Sequence, residues 1–183
     1  KDNMLEDENS ILICPGIYQK YIDKKYDLRV TVIGNKMFTV RLRSKKKVAY
    51  TDWRRHSLSK DISVTAFDLP EYYQNMIHNL MTSMGLVFGC IDLAVDKYDN
   101  IYFLEINQGG QYLFIEQAIK SLPLLSAMCS MLITGNTNYK IDITKDISFD
   151  QYLHSDDFLN FKSRSEHLAN KNNLSALSTQ IIE

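Results

Sequence analysis

The sequence predicts an α+β fold, a largely antiparallel sheet with flanking helices. Three observations carry this. A Gly34-Asn35 dipeptide joins two β-rich runs, a good two-residue hairpin signal with Gly at the first central position, as a type II′ turn requires. The stretch 88–107 has two apolar, β-rich flanks around a polar turn. Between these hairpins, Pro70 and Gly85 bracket a segment whose apolar positions 73, 76, 77, 80, 81 and 84 recur at helical spacing.

The elements follow in order. Residues 1–10 are acidic and polar, a loose lead-in. Residues 11–14 form a short apolar strand stopped by Pro15-Gly16, and 17–22 a second extended run broken by Asp23-Lys24-Lys25. The first hairpin pairs 28–33 with 36–43, placing Arg41 and Arg43 on one face and Arg29 on the other. Lys45-Lys46-Lys47 reads as a solvated loop, with contact to an anion or acidic peptide as the alternative. Thr51-Asp-Trp-Arg-Arg-His56 is a dense polar-aromatic cluster on a loop or edge strand. A helix runs from Pro70 to about Met84, its methionines read as core packing. After the second hairpin, a helix spans about 112–133, interrupted at Pro123 and ended near Gly135. Residues 145–183 turn polar; 156–168 suit a helix and the last residues a loose tail. The expected organisation is a lead-in at 1–10, a main domain at 11–144 and a polar, partly helical extension at 145–183.

The second hairpin carries the chemistry. A loop centred on Tyr98 and Asp99 pairs residues whose numbers sum to 197, so Asp92 falls opposite Glu105, and Glu105 and Asn107 project from one face. Directly opposed side chains have Cβ atoms about 4.5–5.5 Å apart. Asp92 is expected to share its face with Phe88, Cys90 and Ala94, and Glu105 with Ile101 and Phe103. Two carboxylates on an apolar face repel unless something positive lies between them, and three oxygen donors converging on one point suit a hard divalent cation. The bland alternative is a pair of carboxylates on a wet strand face.

Composition narrows the field. A net charge of -1 over 183 residues makes no general electrostatic case for nucleic acid or an anionic membrane. A hydrophobic fraction of 45% supports a proper core. Cys14, Cys90 and Cys129 are odd in number and far apart, which suits reduced thiols of a cytoplasmic protein. Neither a transmembrane-length apolar run nor a signal peptide is read. There is no Gly-rich phosphate loop, no His-x-x-x-His or Cys-x-x-Cys and no nucleophile elbow; His56, His78, His154 and His167 are scattered. What remains is a carboxylate-rich cation site with Arg29, Arg41, Arg43, Arg54 and Arg55, equipment suited to phosphoryl transfer.

These residues also carry a resemblance. Tyr18-Gln-Lys-Tyr-Ile22, Tyr26-Asp-Leu-Arg29 with its hairpin, Thr51-Asp-Trp-Arg54, and the run Gly-x-Ile-Asp92 … Phe-Leu-Glu105-Ile-Asn107 … Gly-Gln-Tyr-Leu-Phe-Ile-Glu116 occur in that order. In this the chain resembles the C-terminal portion of the ATP-grasp ligases. It is most similar to those that mature microviridin- or graspetide-type ribosomal peptides, and more distantly to ribosomal-protein glutamate ligases.

The resemblance implies an ATP-grasp C-terminal lobe with ATP and Mg²⁺ as cofactors. It implies that Gln19, Lys20, Tyr21 and Ile22 form the hinge that holds adenine, with Asp27 near the ribose. Arg29 and Arg54 would serve catalysis at the phosphates and acyl group, with Arg55 and His56 beside Arg54 at the nucleotide. Asp92, Glu105 and Asn107 would be the metal ligands. The implied reaction activates a carboxylate as an acyl-phosphate, which an amine or hydroxyl then attacks. The partner would be a precursor peptide or an acidic protein, and the polar C-terminal segment could dock on a second subunit to make a homodimer. Gln108-Gly109-Gly110 stands where related ligases often have Pro, so the loop after Asn107 departs from the pattern. The family's N-terminal lobe would precede Lys1, which makes this chain an expected fragment holding half of an active site. Two other classes fit the same residues: a non-catalytic ATP-grasp-like module binding a peptide or partner, and an interaction domain whose acidic hairpin holds Ca²⁺.

Overall fold

In a computed structural model, residues 20–45, 61–142 and 148–180 are described, with side chains to residue 168 in the last stretch. The expectations for Cys14, Gln19, the strand at 11–14 and the cluster at 51–56, including Arg54, Arg55 and His56, lie outside these residues.

Five strands form one sheet: β1 Lys24–Ile33, β2 Lys36–Ser44, β3 Ile62–Ala66, β4 Phe88–Asp96 and β5 Ile101–Asn107. Their order is β3-β2-β1-β4-β5, and every neighbouring pair is antiparallel. The expected antiparallel α+β sheet is therefore observed. Gly34 has φ +55° at the first hairpin, and Ile33 pairs with Lys36 across it. A Cβ on Gly34 would also lie 2.5 Å from the Thr137 carbonyl oxygen, so glycine is required twice over. Strand β3 is absent from the expected elements, although Ile-Ser-Val-Thr-Ala alternates as an edge strand should.

The sheet is covered on both faces. On one, Leu28, Val30, Val32, Ile91, Leu93 and Val95 pack against Ile77 and Met81 of helix α1, Glu71–Ser83. This helix follows Pro70 and ends in a Schellman arrangement, with Gly85 N–H on Thr82 O and Leu86 N–H on Met81 O, Gly85 taking φ +65°. Only Met81 of its methionines is core; Met76 and Met84 are about half exposed, a correction to their expected packing. The opposite face packs Ile33, Val40, Leu42 and Ile62 against Ile115, Leu124, Ala127 and Met131. These last four lie on α2, Leu113–Ala118, and α3, Leu124–Thr134, two helices separated at Pro123 as expected.

The extension differs from its expected form. A short helix α4, Phe149–Leu153, opens on a Ser148 capping box, and α5 runs Asp156–Gln180, well past the expected end at 168. Glu116 ties the extension to the body. One carboxylate oxygen accepts the Leu125 N–H at 2.7 Å and the other the Phe149 N–H at 2.6 Å, so one buried side chain caps α3 and α4 together. Glu116→Ala should cost roughly 2–4 kcal/mol, from two charge-assisted bonds to helix starts. Urea unfolding measures that loss, and hydrogen exchange should quicken at the Leu125 and Phe149 amides in particular. Unchanged exchange at both would contradict the capping role. Among the described residues, no helix is long and apolar enough to cross a membrane.

Candidate functional site

The site is built by strand register. Arg29 on β1 pairs with Asp92 on β4, and Asp92 pairs with Glu105 on β5. One row thus crosses three strands, cation, carboxylate, carboxylate. The next row is Thr31, Cys90 and Asn107. All project from the face that also carries α2 and α3, so Asp92, Glu105 and Asn107 come together at the β5 edge.

The hairpin turn is tied together by Asp96. Asp96 Oδ1 accepts the Tyr98 and Asn100 N–H groups, and Oδ2 accepts from Asn100 Nδ2 and the Tyr102 hydroxyl. The Asn100 amide foremost holds the Asp96 carboxyl below its ordinary value. Asp99 takes φ 65° in the turn and pairs with Lys25 at 2.9 Å.

A β-bulge divides the hairpin. Pairing sums to 197 at Cys90–Asn107, Ile91–Ile106 and Asp92–Glu105, then shifts so that Leu93 faces Phe103. The extra residue reverses the alternation beyond it. Ile101 and Phe103 therefore lie with Leu93 on the α1 face, where they line an apolar pocket with Tyr73, Met76 and Leu80. The expectation that they share the Glu105 face is corrected. Glu105 and Asn107 are exposed on an edge strand, not buried on an apolar one.

Asp92 itself is buried, and its compensating charge is a residue of the chain. Arg29 Nη1 donates to Asp92 Oδ1 at 2.8 Å, with both side chains under a tenth exposed. Contrary to expectation, Asp92 needs no added cation merely to be buried: Arg29 already supplies the charge. Burial is the foremost influence on the Asp92 carboxyl and pushes it up; Arg29 pulls it down, and Glu105 beside it pushes it up again. Asp92 remains a carboxylate raised above its usual value, against a second carboxylate at the open edge.

The loop after Asn107 turns back onto the site. Asn107 Oδ1 accepts the Gly109 N–H at 2.9 Å, which orients the amide and leaves its oxygen a second lone pair. Gln111 O accepts from Arg29 Nη2 at 2.9 Å, so both ends of the guanidinium are held. Its Nε is buried and has no partner among the described residues. Cys90 lies beneath, its thiol raised above the ordinary value, by burial first, and its Sγ donates to the Gly110 carbonyl at 3.5 Å.

Other expected site residues stand nearby in part. Asp27 is two positions before Arg29 on the same face, buried, with both carboxylate oxygens 2.8–2.9 Å from Lys24 Nζ. Lys20, Tyr21 and Ile22 lead into β1, with Lys20 and Tyr21 exposed.

The donor set fits a hard cation. Two carboxylates and an amide oxygen meet at one open edge, and an ion there would relieve the repulsion between Asp92 and Glu105. Among the described residues, no three His, Cys, Asp or Glu side chains group closely enough to hold a metal by themselves. The third protein donor is the amide, and further ligands would come from the molecule the ion carries.

No protein-family model matches the sequence, and no curated protein does so either. Solved structures do match. The macrocyclase MdnC from Microcystis aeruginosa MRC, bound with precursor peptide MdnA, is 27% identical over 74% of this chain and 41% of that one, with a TM-score of 0.62. A RiPP-associated ATP-grasp ligase of Chryseobacterium gregarium, in complex with ADP and a leader and core peptide, is 26% identical over 78% and 43%, with a TM-score of 0.67. The macrocyclase MdnB of the same Microcystis is alike in fold, at 22% identity and a TM-score of 0.52. The fold is that of part of the RiPP-associated ATP-grasp ligases, and the chain spans about two fifths of the length of MdnC and the Chryseobacterium ligase.

Proposed function

We propose that this chain is the metal- and phosphate-holding part of an ATP-grasp ligase that modifies a ribosomal precursor peptide. The observation that carries the proposal is the row Arg29–Asp92–Glu105 with Asn107 beside it: a fixed guanidinium next to an open edge of hard oxygen donors. An anion and a divalent cation can be received there together, as a nucleotide triphosphate requires. The likeness to MdnC and to the Chryseobacterium ligase supports a peptide as substrate and a nucleotide as co-substrate.

Asp92, Glu105 and Asn107 would hold Mg²⁺, and the ion when bound would neutralise charge on the ATP phosphates. Arg29 is held rigidly by Asp92 and Gln111 and offers its remaining N–H groups to phosphate oxygens. Arg54 shares that load, with Gln19, Lys20, Tyr21, Ile22, Asp27, Arg55 and His56 at the nucleotide. The γ-phosphoryl group passes from ATP to an Asp or Glu carboxylate of the peptide, giving an acyl-phosphate and ADP. A Ser or Thr hydroxyl or Lys amine of the same peptide then displaces phosphate, leaving an ester or amide.

Mass spectrometry tests this. The protein, given ATP, Mg²⁺ and a ribosomal precursor peptide of the kind bound by MdnC, should remove one water from the peptide for each bond formed. A peptide of unchanged mass after ATP is consumed would contradict the proposal.

A further inference from the structure

We propose that Gly110 is a positioning residue for Arg29: the missing Cβ lets the loop lie flat on the sheet so that the Gln111 carbonyl reaches the guanidinium. A Cβ on Gly110 would stand 2.7 Å from Cys90 Cβ, 2.9 Å from Arg29 Nη2 and 3.1 Å from Cys90 Sγ. The first contact is with an atom fixed to the backbone of β4, in the middle of the β1–β4–β5 sheet, and cannot swing aside. The second is with the nitrogen that donates to Gln111 O. Gly110 has no left-handed backbone angle, so the requirement is for space alone.

The consequence is a guanidinium fixed in plane from two directions. Asp92 holds Nη1 from the sheet, Gln111 O holds Nη2 from the loop, and Nε is bonded to neither. Without the loop carbonyl, Arg29 keeps one anchor and is free to turn about it. The loop starts from Asn107, whose side chain also holds Gly109, so one segment sets both the amide donor and the arginine. The part Arg29 plays in turnover rests on the proposed function; the locking of its side chain does not.

The ligand-free chain gives the test. NMR of the arginine side chains should resolve separate Nη–H signals for Arg29, because rotation about Nε–Cζ is blocked at both ends. Gly110→Ala should merge or lose those signals while far-UV circular dichroism is unchanged. Should Gly110→Ala not fold, Gly110→Ala combined with Cys90→Gly removes the 2.7 and 3.1 Å contacts and leaves only the one at Arg29 Nη2. That double variant should fold and still lack the resolved signals. Resolved Arg29 signals in a folded variant, or their absence from the wild-type chain, would overturn the proposal. Failure of the ligase reading is seen separately, in the peptide's mass.

Discussion

Arg29→Met is expected to destabilise the fold by about 3–5 kcal/mol, the range found when one partner of a buried ion pair is removed and the other is left in place. Domains of this kind are stable by roughly 5–15 kcal/mol, so much of the margin would go. The loss should depend on pH. In the folded chain the Asp92 carboxyl lies above its ordinary value of 3.8, so protonation favours the folded state. As pH rises from that ordinary value through the raised one, ionising Asp92 costs stability, and Arg29 limits the cost. Removing Arg29 takes away the downward pull and raises Asp92 further. The deficit against wild type should be full above the variant's Asp92 pKa and shrink as pH falls through it. What persists in acid is lost packing and the bond to Gln111 O. Urea unfolding across pH measures this, and a deficit equal at every pH would contradict it. Arg29→Met with Asp92→Leu should recover much of the loss, since no charge is then left buried.

Glu105→Gln should do the reverse, leaving the fold and removing the chemistry. Glu105 is exposed on the edge strand β5, where such exchanges change stability within about 0.5 kcal/mol. It also relieves the push that Glu105 exerts on Asp92. On the proposed function, ATP-dependent condensation should fall by at least about a hundredfold, because the lost carboxylate is one of the donors that would hold the cation balancing the phosphate charge. Asp92→Asn should abolish turnover too, with a stability cost, since Arg29 then faces an uncharged partner. Wild-type turnover by both variants would contradict the role of the pair.

The pairing of Asp92 with Glu105 was legible as an outcome but not in its cause: beside the turn the strands pair at a sum of 196, and only the extra residue brings the sum to 197 at Asp92 and Glu105. The bulge at Leu104 was not legible: the shift between Asp92 and Leu93 depends on how Phe103 and Ile101 settle against α1, a long-range contact. The same holds for Asp92. Its carboxylate was visible in the sequence, but the Arg29 pair spans 63 positions and follows from β1 lying beside β4. Glu116 stood within a quoted motif, yet its work as a double cap joins amides 9 and 33 positions away. Strand β3 escaped because five residues of mild alternation offer little signal without the β2 edge they pair with.

The most direct measurement is a calorimetric titration of ATP into the chain, with and without Mg²⁺, for wild type and Glu105→Gln. Nucleotide binding should require Mg²⁺ in the wild type and be lost or strongly weakened in the variant, at equal thermal stability. Binding indifferent to Mg²⁺, or equal in the two proteins, would contradict a metal–nucleotide site at Asp92, Glu105 and Asn107.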